Sequence, residues 1–232
     1  MTSEAIYKAH DKHLVAIDSI IFGFSESQLK LLLIQRKFAP RKGYWSLMGG
    51  FVKHDENIDD AAHRILEELT GLKDIYLEQL YTYGDVKRDP GARVISIAYF
   101  ALINIEQYNF DHGEKHGACW FNFEDVPELI FDHNEMVTKA WKRLKRRTKI
   151  QPVGFELLPE KFTLTQLQDL YEAIHQQKLD KRNFRKKILA MDVLEKLDEK
   201  DKRSSRRGAY LYRFNKEKYD QLVQNGVVLE FK

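Results

Sequence analysis

Apolar residues in the first hundred positions gather into short, dense runs set between polar turns. LVAIDSIIFGF (14–24) and LKLLLIQRK (29–37) are separated only by the polar SESQ, which predicts a hairpin of well-buried strands. The next stretch, FAPRKGYWSLMGGFVKHDE, is dense in glycine and turn residues and predicts a loop with one short strand inside it. Asn57 is then placed to cap a helix, with Asp60 three residues on giving a capping-box-like start. Gly71 is placed to stop that helix in the left-handed conformation. YLEQLYTYGDV (76–86) and VISIAYFALI (94–103) flank the turn DPGA and predict a second hairpin. ACWFNFEDVPEL (118–129) predicts a strand and a proline-marked turn, and HNEMVTKAWKRLKRR predicts a closing helix.

Beyond the linker QPVG (151–154) the pattern turns helical. FTLTQLQDLYEAIHQ (162–176) sets Leu164, Leu167, Leu170, Tyr171 and Ile174 at helical spacing, with Thr163 or Thr165 as cap. LDKRNFRKKILAM (179–191) predicts a second helix whose Phe184, Ile188 and Met191 face a core. VLEKL (193–197) and GAYLYRFN (208–215) are β-like, and the polar, basic DEKDKRSSRRG between them reads as a hairpin tip. Helix, helix and charged hairpin outline a winged helix-turn-helix. The domain reading is therefore 1–150 for the front module and 151–232 for a C-terminal DNA-binding module. No internal repeat is visible.

Charge changes this picture. The net +3 conceals a split: residues 1–138 carry 14 Lys+Arg against 22 Asp+Glu, a net of −8, whereas residues 139–232 carry 24 against 13, a net of +11. A basic rear module facing a polyanion is expected, with double-stranded DNA as partner. In the second helix Lys181, Arg182, Arg185 and Lys186 fall on a solvent face. Arg182 or Arg185 can read guanine edges, Asn183 suits adenine or a phosphate, and the lysines suit phosphates. Lys202, Arg203, Arg206 and Arg207 at the hairpin tip suit flanking backbone or the minor groove. The run KRLKRR (142–147) is open between lying beside DNA and merely joining the modules. Hydrophobic content of 43% and aromatic content of 12% supply a core. The single cysteine, Cys119, excludes an internal disulfide and is expected as a small buried apolar residue. The polar N-terminal segment has no signal core, and no apolar run reaches the roughly 18–20 residues that cross a bilayer, so a soluble, cytoplasmic protein is expected.

GFVKHDENIDDAAHRILEELTGL (50–72) carries the candidate chemistry. Gly50, Glu56, Arg64, Leu66, Glu68, Gly71 and Leu72 stand in the spacing Gly-x5-Glu-x7-Arg-Glu-U-x-Glu-Glu-x-Gly-U, where U is aliphatic. With WSLMGGFV before it, this segment resembles the Nudix superfamily. That resemblance implies an α/β fold, a Nudix-like α/β/α sandwich with a mixed sheet. The pattern departs at Ile65 and Leu69, which stand where two metal-binding glutamates belong. Positions 65, 68 and 69 are neighbours on a helix, so three carboxylates there would hold Mg²⁺, whereas one between two aliphatic groups would hold it poorly. Glu67 lies about 100° round the helix and is no substitute. No metal, no cofactor and no enzymatic activity are expected, with a residual Mg²⁺-dependent hydrolase of nucleoside diphosphate derivatives as the alternative. The histidines show no metal-ligand spacing, and His54, His63, His112 and His116 read as ordinary loop or surface residues.

GFELLPEKFTLTQLQDLYEAIHQQKLDKRNFRKKIL resembles the C-terminal domain of the Nudix-related transcriptional regulators. The resemblance runs from about residue 12 to about residue 215. It implies a homodimeric regulator, expected to be a repressor, whose operator binding is controlled by a small molecule in the former catalytic pocket. Overall similarity to a branch from gut-dwelling Bacteroidetes implies a sugar effector such as L-arabinose. Other members of the family respond to ADP-ribose and regulate NAD metabolism, which is the alternative. A scaffold with no ligand is a third reading. Candidate effector contacts are Asp18, Arg36, Trp45, Glu56, Glu68, Tyr83, Asp85 and Arg93, with Tyr44 beside them. Trp45 and Tyr44 also fit a core, and Glu56 with Arg64 also fits an internal ion pair joining loop to helix. Asp18, inside an apolar strand, needs a partner as a pocket residue or as part of a buried network.

Overall fold

The structure, a computed structural model, describes residues 8–73, 75–108, 116–150, 153–202 and 208–224. Strand β1 (Leu14–Ser25) turns into β2 (Gln28–Gln35) through Glu26 and Ser27, whose φ values of 53° and 58° are both left-handed. Two positive φ values in a two-residue loop match the right-handed twist of the strands it joins. The pair stays antiparallel from Ser25↔Gln28 to Ile21↔Leu32 and then diverges. Into the wedge runs the segment carrying β3 (Trp45–Ser46), which pairs with β2, and β4 (Met48–Phe51), which pairs with β1 at Ala16–Ser19. On its other side β1 runs parallel to β6 (Val94–Asn104), which is antiparallel to β5 (Tyr76–Tyr83). With β7 (Ala118–Asn122) on the far edge of β2, a mixed seven-stranded sheet results.

Side chains alternate across β1, so one strand supplies both faces of the sheet. Ile17 and Ile21 pack toward α1 (Ile58–Thr70), against Ala61, Ala62, Ile65 and Leu66. Ile20 and Phe22 pack toward α2 (His133–Ile150), against Met136, Val137, Ala140 and Leu144. Gly71 ends α1 at φ 74°, its N–H bonded to the Glu67 carbonyl at 2.8 Å. Asn57 is the N-cap, but the capping-box start does not form. Its amide Nδ2 donates to the Asp60 carboxylate at 3.0 Å, and no side chain caps the helix backbone. Cys119 is exposed rather than buried, because it lies on edge strand β7.

The rear module holds β8 (Phe162–Thr163), α3 (Leu164–His175), α4 (Lys181–Ala190), β9 (Leu194–Asp201), β10 (Ala209–Phe214) and α5 (Lys216–Gln224). Thr163 Oγ1 accepts from Gln166 N at 3.1 Å while Gln166 Oε1 accepts from Thr163 N at 2.8 Å, a complete capping box. Phe184, Ile188 and Met191 face the core as their spacing predicts. The three strands order as β8-β10-β9, a small sheet with the wing hairpin at its edge. Directly after the expected linker 151–154 the chain packs inward: Leu157 is fully buried and Phe155 stacks on Phe214 at 4.1 Å. One continuous core runs from Ile20 and Phe22 through Leu144 to Leu167, Tyr171 and Phe184. Trp141 Nε1 donates across it to the Ile174 carbonyl at 2.9 Å.

Candidate functional site

The helix of the 50–72 box turns its two aliphatic replacements in different directions. Ile65 is buried against Ile17, Ala61 and Ala62, and its side chain closes on Gly50, where an added Cβ would stand 3.1 Å from it. Leu69 is half-buried and lines a cleft. Glu56 accepts from Lys53 N at 2.7 Å and from Arg64 Nε and Nη2 at 2.7 and 2.6 Å. The hydrogen-bonded Arg64 guanidinium holds the Glu56 carboxyl down to about 2, well below its ordinary 4.5. Arg64 also reaches Glu68 Oε2 at 3.2 Å and the Phe51 carbonyl at 3.1 Å. Glu56 and Glu68, the two glutamates that match the box spacing, are thus engaged by one arginine that ties loop to helix. Among the described residues no three His, Cys, Asp or Glu side chains form a group that could hold a metal ion. The donor set does not fit the Mg²⁺ that the box spacing implies.

The cleft itself has a volume of about 340 Å³ and opens where β1, β2 and β4 splay. Its floor is a buried polar network. Asp18 Oδ2 accepts from Ser96 Oγ at 2.5 Å and from Arg88 Nη2 at 3.3 Å. Arg88 also grips Asp132 with Nε and Nη2, each at 2.8 Å. A buried cation between two carboxylates offsets a desolvation cost that none could bear alone. His133 begins α2 beside this group. Leu47 N donates to its Nδ1 at 3.1 Å, so in the neutral ring the proton sits on Nε2, which faces Asp18 Oδ1 at 3.7 Å. Burial lowers the His133 pKa and keeps it neutral. Above the floor, the Arg36 guanidinium lies 4.1 Å from the Phe38 ring and 5.6 Å from the Phe131 ring.

The sequence-predicted effector contacts are divided by this geometry. Asp18 and Arg36 line the cleft. Tyr44, Tyr83 and Asp85 line an outer groove of about 1020 Å³ that shares Arg88 and Phe131 with it. Glu56 and Glu68 belong to the Arg64 tie. Trp45 lines neither space and packs edge-on against Phe121 at 4.8 Å. Arg93 lines neither and donates to the Asp85 carbonyl at 3.2 Å. His54 and His63 are exposed, His116 lines the cleft rather than open surface, and His112 lies outside the described residues. Sequence reasoning missed Arg88, Asp132, His133, Phe38 and Phe131. The Asp18 strand signalled that a partner must exist, but Arg88 stands 70 positions away and no local pattern points to it.

In the rear module α4 presents Lys181, Arg182, Asn183 and Lys186 to solvent, with Arg185 half-buried. Asp180 caps the helix by accepting from Asn183 N at 2.7 Å. Arg185 Nη2 donates to Thr165 Oγ1 at 3.2 Å, which ties it to the start of α3 and leaves Arg182 the freer of the two arginines. Lys202 is exposed at the end of β9, and Arg203, Arg206 and Arg207 lie outside the described residues. No helix among the described residues is long and apolar enough to cross a membrane.

Comparison with known proteins matches both modules. Residues 12–140 fit the NUDIX domain family and residues 154–214 fit the NrtR DNA-binding winged helix domain. The chain is 39% identical over 211 residues to the ADPR responsive transcriptional repressor NtrR of Acinetobacter baylyi, covering 89% of this chain and 84% of that one. It superposes on Shewanella oneidensis NrtR complexed with a 27mer DNA with a TM-score of 0.81 and 28% identity, covering 89% of this chain and 95% of that one. The NUDIX domain of Shewanella oneidensis NrtR complexed with ADP ribose is similar over 62% of this chain and 99% of its own, with 30% identity and a TM-score of 0.51.

Proposed function

Because the chain belongs to the NrtR-like family of Nudix-related transcriptional regulators, we propose that it is a repressor released from its operator by ADP-ribose. The observation that carries this reading is the cleft at the old catalytic end. It offers cations and aromatic faces suited to a nucleoside diphosphate, and it presents Leu69 where a metal-binding glutamate would act. Arg36 and Lys37 supply positive charge for a diphosphate, and Phe38 and Phe131 supply apolar faces for a base. The cleft shares Arg88 and Phe131 with the outer groove, which gives an extended ligand more room than a single pentose fills. The sugar effector implied by overall resemblance has no such support. The Acinetobacter relative is an ADPR responsive repressor, and the Shewanella NUDIX domain is complexed with ADP ribose.

Ligand binding alone shifts nothing; the effector must favour the DNA-free arrangement. A hundredfold preference corresponds to about 2.7 kcal/mol. Asp132 and His133 sit at the start of α2, and α2 ends against α3, so the helix connects the cleft floor to the reading module. A homodimer would present two α4 helices to successive turns of a palindromic operator. Fluorescence anisotropy on DNA from upstream of the home operon tests the reading. ADP-ribose is expected to release the protein and L-arabinose to leave it bound; release by L-arabinose alone would sink it. The same protein with Mg²⁺ and ADP-ribose should yield no AMP, and steady turnover abolished by Glu68→Gln would favour a hydrolase.

A further inference from the structure

Helix α2 carries seven basic residues and no acidic one between Lys139 and Ile150. A merely solvated helix would interleave opposite charges, since like charges at i, i+4 destabilise it. Three of the seven are neutralised within the fold. Lys139 pairs with Glu135 at 2.9 Å, and Arg143 and Arg147 both turn onto Glu78 of β5. The other four, Lys142, Lys145, Arg146 and Lys149, recur at i, i+3, i+4 and i+7, which places them on one face. Lys142, Arg146 and Lys149 are exposed and have no partner among the described residues, while Lys145 rests on the Trp141 ring at 4.9 Å.

This face continues into the reading module. Lys149 lines a small cavity of about 180 Å³ with Asn183 and Lys187 of α4. Lys145 and Lys149 are also close enough to His175, at the end of α3, to reinforce the effect of burial in pulling its pKa down to about 4. From Lys142 to Lys149 the stripe runs about 10 Å along the helix axis.

Resting on the operator-binding reading above, we propose that the Lys142–Lys145–Arg146–Lys149 face of α2 is a second DNA contact. It would clamp the phosphate backbone beside the groove entered by α4. It reads no sequence and adds counterion-release affinity. The contact also sets the helix that begins at the effector cleft directly on the nucleic acid.

The test is the salt dependence of binding by the full chain, measured by anisotropy on the operator and on a scrambled duplex of equal length. For Lys145→Gln/Lys149→Gln the slope of log K against log salt should flatten by about two. Affinity should fall by the same factor on both duplexes. A control, Lys12→Gln/Lys53→Gln, removes equal charge from the front module and should keep the wild-type slope. Circular dichroism melting checks that both variants fold. An unchanged slope in the α2 variant, or a loss confined to the operator, overturns the second contact while the operator-binding reading stands. Equal flattening in the control reduces the effect to net charge and also overturns it. A wild-type chain that binds neither duplex overturns both.

Discussion

Arg64 and Arg88 hold the surroundings of the cleft together by different physics. Arg64 is near the surface, and its bidentate grip on Glu56 lowers that carboxyl to about 2 from an ordinary 4.5. A depressed carboxylate pKa means that the unfolded chain binds the proton first, so the stabilisation is complete above about 4.5. It fades as pH falls through about 2. Glu56→Gln should therefore melt at lower temperature than the wild type at pH 7, and the gap should close between pH 4.5 and 2; a gap constant with pH would refute the pairing. Arg88 works where water is scarce, between Asp18 and Asp132. The Glu56–Arg64 tie was legible because both residues lie within one helix start at fixed spacing. Arg88 was not, because its carboxylates lie 70 and 44 positions away and meet it only after the sheet has formed.

At the scale of the element, α1 holds Ile65 and Leu69, which stand where the Nudix spacing places glutamates, in different surroundings. Ile65 is part of the apolar face that glues α1 to the sheet, whereas Leu69 borders the cleft. Ile65→Glu should destabilise the fold by on the order of 3 kcal/mol, because an unpaired carboxylate would be buried among Ile17 and Ala61. Leu69→Glu should be tolerated within about 1 kcal/mol, since its side chain reaches solvent. Urea denaturation of both variants checks this; equal costs would mean that Ile65 also faces the cleft. The sequence treated the two positions as equivalent members of one face. Tertiary packing separated them, because the i and i+4 side chains meet different surroundings: Ile65 is fully enclosed against the sheet, whereas Leu69 packs only in part and borders the cleft. Local signals fared better where only the backbone was involved: Gly71 and Thr163 cap as their positions predict. Asn57 did not: its amide donates to Asp60, and its side chain accepts from no N–H of the helix.

Across the whole molecule, the two modules share a core, and α2 is the element common to both. Its Trp141 bonds to the Ile174 carbonyl at the end of α3. Trp141→Phe keeps an aromatic ring but leaves that carbonyl unpaired, at a cost of about 1 kcal/mol. The ratio of operator affinities with and without ADP-ribose should shrink in this variant; an undiminished ratio would show that coupling bypasses this contact.

Periodicity, turn chemistry and the spacing of the 50–72 box determined the strands, the two helices and hairpin of the rear module, and the Nudix character of the front module. These are properties of neighbours in sequence, and short-range sterics and hydrogen bonding suffice to specify them. The charge split likewise marked the rear half as the face for a polyanion. Tertiary structure alone decided that Arg143 and Arg147 are spent on Glu78 while Lys145 and Lys149 are not. It alone decided that Asp18, Arg88 and His133 meet in the cleft, with Arg88 also paired to Asp132. Each of those outcomes depends on which distant groups share a low-dielectric space, and only the closed chain fixes that.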